Sequence, residues 1–194
     1  MELNNIQELQ GPWRAGWALD LHTISSIPVG LNSFDTKRTY LGELLYRLKY
    51  CKDNSKTTII AEIVVDFLKP KLDTLQLAVF IPIPPSDMTR KSQPVYDMAK
   101  IIAKNINIDI DNDYLLKTKS TSQLKSINDP NERRKILTDV FKVKDKNYEE
   151  KNVLLFDDLY RSGATLSAAT QALINDGHVA NVYVLVITKT RSKK

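Results

Sequence analysis

VLLFDDLYRSGATL, Val153 to Leu166, is the stretch on which the fold of this chain turns. The apolar run Val153 to Phe156 has the length and composition of a buried strand, and it leads directly into two carboxylates, Asp157 and Asp158. The chain then turns through Leu159 to Ala164 into a helix predicted over Thr165 to Asn175, which Asp176-Gly177 closes. Gly163 lets backbone N–H groups approach an anion with no side chain in the way, while Ser162 and Thr165 add hydroxyl donors at the positive end of the helix. The paired carboxylates can accept hydrogen bonds from a vicinal diol, directly or through a hydrated Mg²⁺ ion. A sugar phosphate satisfies both halves. The plainer reading is a strand, an acidic turn and a helix cap. Against it stand adjacent acids straight after a buried strand, with Ser-Gly-x-Thr beginning five residues after the first of them. Neither a Gly-x-x-x-x-Gly-Lys loop nor a Gly-x-Gly-x-x-Gly turn is present.

Outward from this segment, strands and helices alternate. Val182 to Thr188 is a β-branched strand, Leu77 to Ile83 a buried strand stopped by Pro82 and Pro84, and Tyr96 to Asn105 a helix. Tyr114 to Leu116 and Val140 to Val143 read as short strands, and Asp129-Pro130 with Glu132 starts a helix. Leu41, Leu44, Leu45 and Leu48 share one stripe of a helix predicted from Arg38 to Tyr50, whose other face carries Arg47 and Lys49. Ile60, Ile63, Val64 and Phe67 predict a second helix over Thr57 to Leu68, ended by Pro70. Up to Thr36, Gly11-Pro12, Gly16, Pro28 and Gly30 interrupt every period, leaving turns and short extended pieces. The expected class is α/β: an open, mostly parallel sheet flanked by helices, with a small N-terminal hood. One domain spans 1–194, its hood and helical segment at 1–55 and its core at 75–190. Ligands of such sheets bind at the carboxyl ends of the strands.

The bulk properties suit one globular domain of 194 residues, 42% hydrophobic and 26% charged. No apolar run reaches the roughly 18 residues of a membrane span, and the polar start, Met1 to Gln10, lacks a signal core, so the expectation is a cytoplasmic protein with no membrane partner. Cys51 is the only cysteine, which excludes an intrachain disulfide and a multi-cysteine zinc site. The net charge of +5 is compatible with an anionic ligand or with nucleic acid.

The segment from Val153 to Leu166 resembles the phosphoribosyl pyrophosphate signature of type I phosphoribosyltransferases, an apolar strand, two acids and a loop ending in Ser/Thr-Gly-x-Thr. Within that superfamily the chain looks most like the ComF-type proteins, over roughly Arg38 to Thr190. RTYLGELLYRLKY, Arg38 to Tyr50, resembles their N-terminal helix. IPIPPSDMTRKSQPVYDMAKIIA, Ile81 to Ala103, resembles the pyrophosphate loop and following helix, and LLKTKSTSQLKSINDPNERRKILTDVFKV, Leu115 to Val143, the flexible loop and following strand. The four-cysteine zinc module with which that family often begins is missing here. Its Arg-Gly-Phe-Asn-Gln run is replaced by Pro94, Val95, Tyr96, Asp97 and Met98.

The resemblance implies a Mg²⁺-dependent protein that binds phosphoribosyl pyrophosphate and transfers the phosphoribosyl group to a nucleobase or amine acceptor. Ser162, Gly163, Ala164 and Thr165 would hold the 5-phosphate, with Tyr160 and Arg161 beside them. Asp157 and Asp158 would serve the ribose diol and the metal, and Ser86, Arg90 and Lys91 the pyrophosphate. Type I relatives commonly form dimers, so a homodimer is also implied. ComF-like proteins are associated with DNA uptake, which leaves open a protein that binds the ligand without turnover or handles single-stranded nucleic acid.

Other residues read either way. Ser120 to Lys125 suits a lid or a solvated loop, and Arg133 and Arg134 suit phosphate contacts or surface ion pairs with Glu132 or Asp129. His22 and His178 lack metal spacing and read as structural or surface residues. Trp13 and Trp17 are expected to anchor the hood or an oligomer contact, with stacking on a purine base as the alternative.

Overall fold

The computed structural model describes residues 3, 5–31, 33–85, 87, 89, 92–118 and 140–191. The helix start expected at Asp129-Pro130 lies outside them.

The stretch expected to be turns instead holds four strands: β1 (Gln7–Glu8), β2 (Ala15–Leu21), β3 (Thr23–Gly30) and β4 (Ser33–Arg38). Helix α1 (Tyr40–Tyr50) follows, then α2 (Lys56–Leu68). Pro70 does not end the helical path. It falls at the start of a 3₁₀ turn, Lys69–Lys71, where a missing N–H costs nothing, and a one-turn α3 (Leu72–Leu75) continues to a left-handed Gln76. Next come β5 (Leu77–Pro82), α4 (Pro94–Ile106), β6 (Leu115–Lys117), β7 (Phe141–Val143), β8 (Asn152–Tyr160), α5 (Ala164–Asn175) and β9 (Asn181–Lys189).

The main sheet has the order β1-β2-β9-β8-β5. β2, β9, β8 and β5 are mutually parallel, and only the edge strand β1 runs against its neighbour. Both faces are covered. On one, α1, α2 and α4 pack Leu41, Leu45, Val64, Leu68 and Ile102 against Phe80, Leu154, Phe156 and Leu185. On the other, α5 and the β6–β7 ribbon pack Leu173, Ala169 and Phe141 against Val79, Val153, Leu155 and Val184. Burial on both sides explains why β8 and β9 are almost continuously apolar.

Trp13 and Trp17 belong to this body rather than to a hood contact. Trp13 is buried and donates its indole N–H to the Leu9 carbonyl at 2.8 Å, and Trp17 packs between Phe67 and Tyr183. The β3–β4 hairpin is a separate two-stranded sheet, and its Ile27, Val29, Leu31 and Phe34 are exposed.

Pairing along β8 is uneven. From Asn152 to Phe156 the strand is laddered to both β5 and β9, with the Ile83 amide closing on the Phe156 carbonyl at 2.8 Å. From Asp157 to Tyr160 its ladder, among the described residues, is with β9 alone, down to the pair Tyr160↔Lys189.

Helix α1 is set by Thr39, whose hydroxyl accepts the Gly42 amide at 3.0 Å and donates to the Leu21 carbonyl at the end of β2. Gly42 is required there, because a Cβ would lie 2.0 Å from the His22 carbonyl oxygen. Thr39→Ala therefore removes a cap and a tie to the sheet, and should cost about 1 to 2 kcal/mol of unfolding free energy in urea. An unchanged midpoint would show that α1 is positioned by its leucines alone.

Candidate functional site

Strand β5 ends opposite Phe156 while β8 runs on to Tyr160, and at the carboxyl end of these two parallel strands lies a cleft of about 610 Å³. Its walls include Asp157, Asp158, Arg161 and Thr165 from the β8–α5 segment, Ile83, Pro84 and Pro85 after β5, and Lys49 and Lys117 from α1 and β6. Gln93, Pro94, Val95 and Tyr96 also line it. The run in which this chain departs from the ComF pattern thus begins on the cleft wall, as apolar and aromatic surface rather than cationic surface. Of the residues expected at the pyrophosphate, Ser86, Arg90 and Lys91 lie outside the described residues. So do Ser120 to Lys125, Arg133 and Arg134. Asp87, within the same segment, lines the cleft.

The acidic pair is not in a turn. Strand β8 continues through both aspartates to Tyr160, because β9 extends far enough to pair with it. Consecutive strand residues face opposite sides of a sheet. Phe156 and Leu154 belong to the α1/α2/α4 core and Leu155 and Val153 to the α5 core, so Asp158 falls in line with the first set and Asp157 with the second. The side chains agree with that placement: Asp158 Oδ2 accepts from Lys49 Nζ of α1 at 2.6 Å, and Lys117 of β6 is within electrostatic reach of Asp157. Asp157 Oδ1 accepts the Asp158 amide at 2.8 Å.

The loop has the form expected of an anion cradle. Gly163 caps α5 with φ +76°, the left-handed region that glycine enters without strain, and the Ser167 amide closes on its carbonyl at 2.8 Å. Tyr160, a strand residue, lies against Gly163: a Cβ there would meet the phenol oxygen at 2.5 Å and two ring carbons at 2.9 Å. The Lys189 ammonium sits 5.7 Å from the Tyr160 ring centre. Ser162 is exposed, and its hydroxyl lies 3.5 Å from the Ala164 amide. Ala164 opens the helix, one residue before the expected start, so the first-turn amides of Ala164 and Thr165 face the loop.

Charge at the site is unevenly distributed. Burial first, and then the neighbouring Asp158, push the Asp157 carboxyl up to about 7, against the pull of the Asp158 amide, Lys49 and Lys117. Burial lowers Lys117, opposed by Asp157. His22 is lowered by burial and by Arg38, Lys49 and Arg161, with Asp158 opposing, and its Nδ1 lies 3.1 Å from the Thr188 hydroxyl. It is a structural histidine in a cationic surround.

The Asp157 shift has a definite sign. A carboxyl raised above its unfolded value contributes stability that is complete below about pH 4 and is lost as pH rises through about 7. The wild-type melting temperature should therefore fall relative to that of Asp157→Asn between about pH 5 and about pH 8. Parallel melting curves across that window would mean that Asp157 is ionised throughout it.

Asp157 and Asp158 are the adjacent carboxylates of the cleft, with Asp87 also on its wall; among the described residues no group of three or more His, Cys, Asp or Glu side chains could hold a metal ion. This donor set suits Mg²⁺, which keeps waters and shares its remaining positions with ligand phosphates, better than a metal that needs a full protein cage.

Sequence reasoning missed Lys49 and Lys117 as site residues. Lys49 reads as part of the basic face of α1, and the signal was the Leu-Lys-Tyr ending by which the helix resembles that of ComF-type proteins.

Fold and site define an α/β protein with an acidic, lysine-lined cleft at the carboxyl edge of a parallel sheet. No protein-family model matches the chain, and no curated relative matches it. Among solved structures it is similar to a hypothetical protein from Neisseria gonorrhoeae with bound ppGpp, at 14% identity over 72% of this chain and 70% of that one, with a TM-score of 0.45. It is also similar to adenine phosphoribosyltransferase from Leishmania tarentolae, at 14% identity over 85% and 94% of the two chains and a TM-score of 0.46. The adenine phosphoribosyltransferase from Thermoanaerobacter pseudethanolicus is 11% identical over 87% and 95%, with a TM-score of 0.42. Among the described residues no helix is long and apolar enough to cross a membrane.

Proposed function

We propose that this protein binds phosphoribosyl pyrophosphate with Mg²⁺ in the cleft and transfers the phosphoribosyl group to a nucleobase or amine. The observation that carries the reading is the junction of β8 and α5, where a left-handed Gly163, between Arg161 and Thr165, caps a helix, and those two residues line the same cleft as the pair of carboxylates.

In this reading the amides of Ala164 and Thr165, with the hydroxyls of Ser162 and Thr165, hold the 5-phosphate. Asp157 and Asp158 receive the ribose hydroxyls. The cations of Lys49, Lys117 and Arg161 line the cleft where negative charge gathers on the departing pyrophosphate. As the bond from the anomeric carbon to pyrophosphate breaks, the electron pair leaves with the pyrophosphate and the ring becomes electron-poor. The acceptor nitrogen then supplies the new bond and loses its proton. The carboxylates on either face of β8 stabilise that electron-poor ring, and the protein supplies no nucleophile. Mg²⁺, when bound, neutralises pyrophosphate charge. The wall formed by Tyr50, Val95 and Tyr96 suits a planar acceptor.

Calorimetric titration with phosphoribosyl pyrophosphate, with and without Mg²⁺, is the test, with ribose 5-phosphate and a nucleoside monophosphate for comparison. Saturable, Mg²⁺-dependent binding that exceeds the affinity for ribose 5-phosphate is the expected result. Absence of binding to every one of them would refute the assignment.

A further inference from the structure

We propose that Lys49 is a built-in counter-cation of the acidic pair that keeps divalent ions off Asp158 until a ligand brings them. The inference rests on the proposed function and on Asp158 as a member of the Mg²⁺ donor set described with the cleft, but its test does not require sugar phosphate.

The Lys49 ammonium is 2.6 Å from Asp158 Oδ2, a short charge-assisted contact between residues 109 apart in sequence. The Asp158 side chain is 11% exposed and that of Lys49 31%, so the carboxylate is largely withdrawn from water while the lysine reaches it from the cleft wall. The reach is fixed by the fold. Lys49 lies in the last turn of α1, whose Leu41, Leu44, Leu45 and Leu48 are buried and whose start is tied to β2 through Thr39.

A divalent ion needs the same oxygen lone pairs, at about 2.0 to 2.1 Å for Mg²⁺. Asp157 offers less in compensation, since one of its oxygens is engaged by the Asp158 amide. An ion arriving alone must therefore displace a tethered ammonium, which acts at high effective concentration. An ion arriving on a pyrophosphate brings its own oxygen ligands and an alternative anion for Lys49.

Mn²⁺ is the probe, with the free ion counted by electron paramagnetic resonance on the full chain. Without any sugar phosphate, Lys49→Met should bind Mn²⁺ at least about tenfold more tightly than wild type, and adding Asp158→Asn to it should remove the gain. Lys49→Arg, which keeps the cation, should behave as wild type. Equal Mn²⁺ affinity in wild type and Lys49→Met, or a gain that survives Asp158→Asn, overturns the proposal. Should Lys49→Met not fold, wild type and Asp158→Asn decide it: equal, weak Mn²⁺ binding supports the counter-cation, and a clear loss in Asp158→Asn shows a carboxylate already open to metal. A gain in Lys49→Met in a protein that binds no phosphoribosyl pyrophosphate would sink the functional reading and leave the role of Lys49 standing.

Discussion

Replacing Asp157 and Asp158 together by asparagine is expected to weaken phosphoribosyl pyrophosphate binding by at least about 100-fold while leaving the protein folded. Hydrogen bonds to charged groups contribute about 1.5 to 3 kcal/mol each, and the double change takes the charge and one oxygen from two such acceptors. The fold should tolerate it. At Asp157 the amide relieves a carboxyl that burial already disfavours as an anion. At Asp158 the lost partner is Lys49, whose side chain is exposed enough for water to take over, so unfolding free energy should shift by no more than about 1 kcal/mol. Calorimetry and urea denaturation on the same preparation read both. Wild-type affinity in a folded double variant would place the sugar elsewhere.

Gly163→Val should remove 5-phosphate binding and also cost stability, for two separable reasons. The backbone at φ +76° is strained for any side chain, and worst for a β-branched one. In addition, the new Cβ would press on the Tyr160 ring at 2.5 to 2.9 Å, and the ring can yield only by leaving its place near Lys189. The expected loss is about 2 to 3 kcal/mol in unfolding free energy, and on the order of 100-fold in affinity for ribose 5-phosphate. Gly163→Ala in a Tyr160→Ala background separates the causes, since it retains the backbone strain without the ring contact. A Gly163→Val protein that binds ribose 5-phosphate normally would mean that the β8–α5 loop is not the phosphate cradle.

Much of this was legible in the chain because the informative signals are local. An apolar run, two acids, a Ser-Gly turn and a helix fall within Val153 to Asn175, and strand and helix appear there as read, apart from the longer reach of β8 and a helix start one residue earlier. That reach was hidden because Leu159 and Tyr160 are held by Thr188 and Lys189, residues whose pairing no short window reveals. β2 was obscured in the same way: its glycine and sparse apolar residues suggest a loop, and only the ladder to β9, from Ala15↔Tyr183 onward, makes it a central strand. Lys49 shows the limit most clearly. On a helix wheel it belongs to the polar face, and apart from the Leu-Lys-Tyr ending nothing near it in sequence points to a buried carboxylate 109 residues away.

The uneven ladder of β8 gives its two halves different mechanical duties. Up to Phe156 the strand is clamped on both sides, whereas the four residues that include the acidic pair project from that clamp like a short beam supported along one edge. The change in support falls just beyond Phe156. A ligand bound as proposed above would meet a rim held along one edge, with two packed cores beneath it.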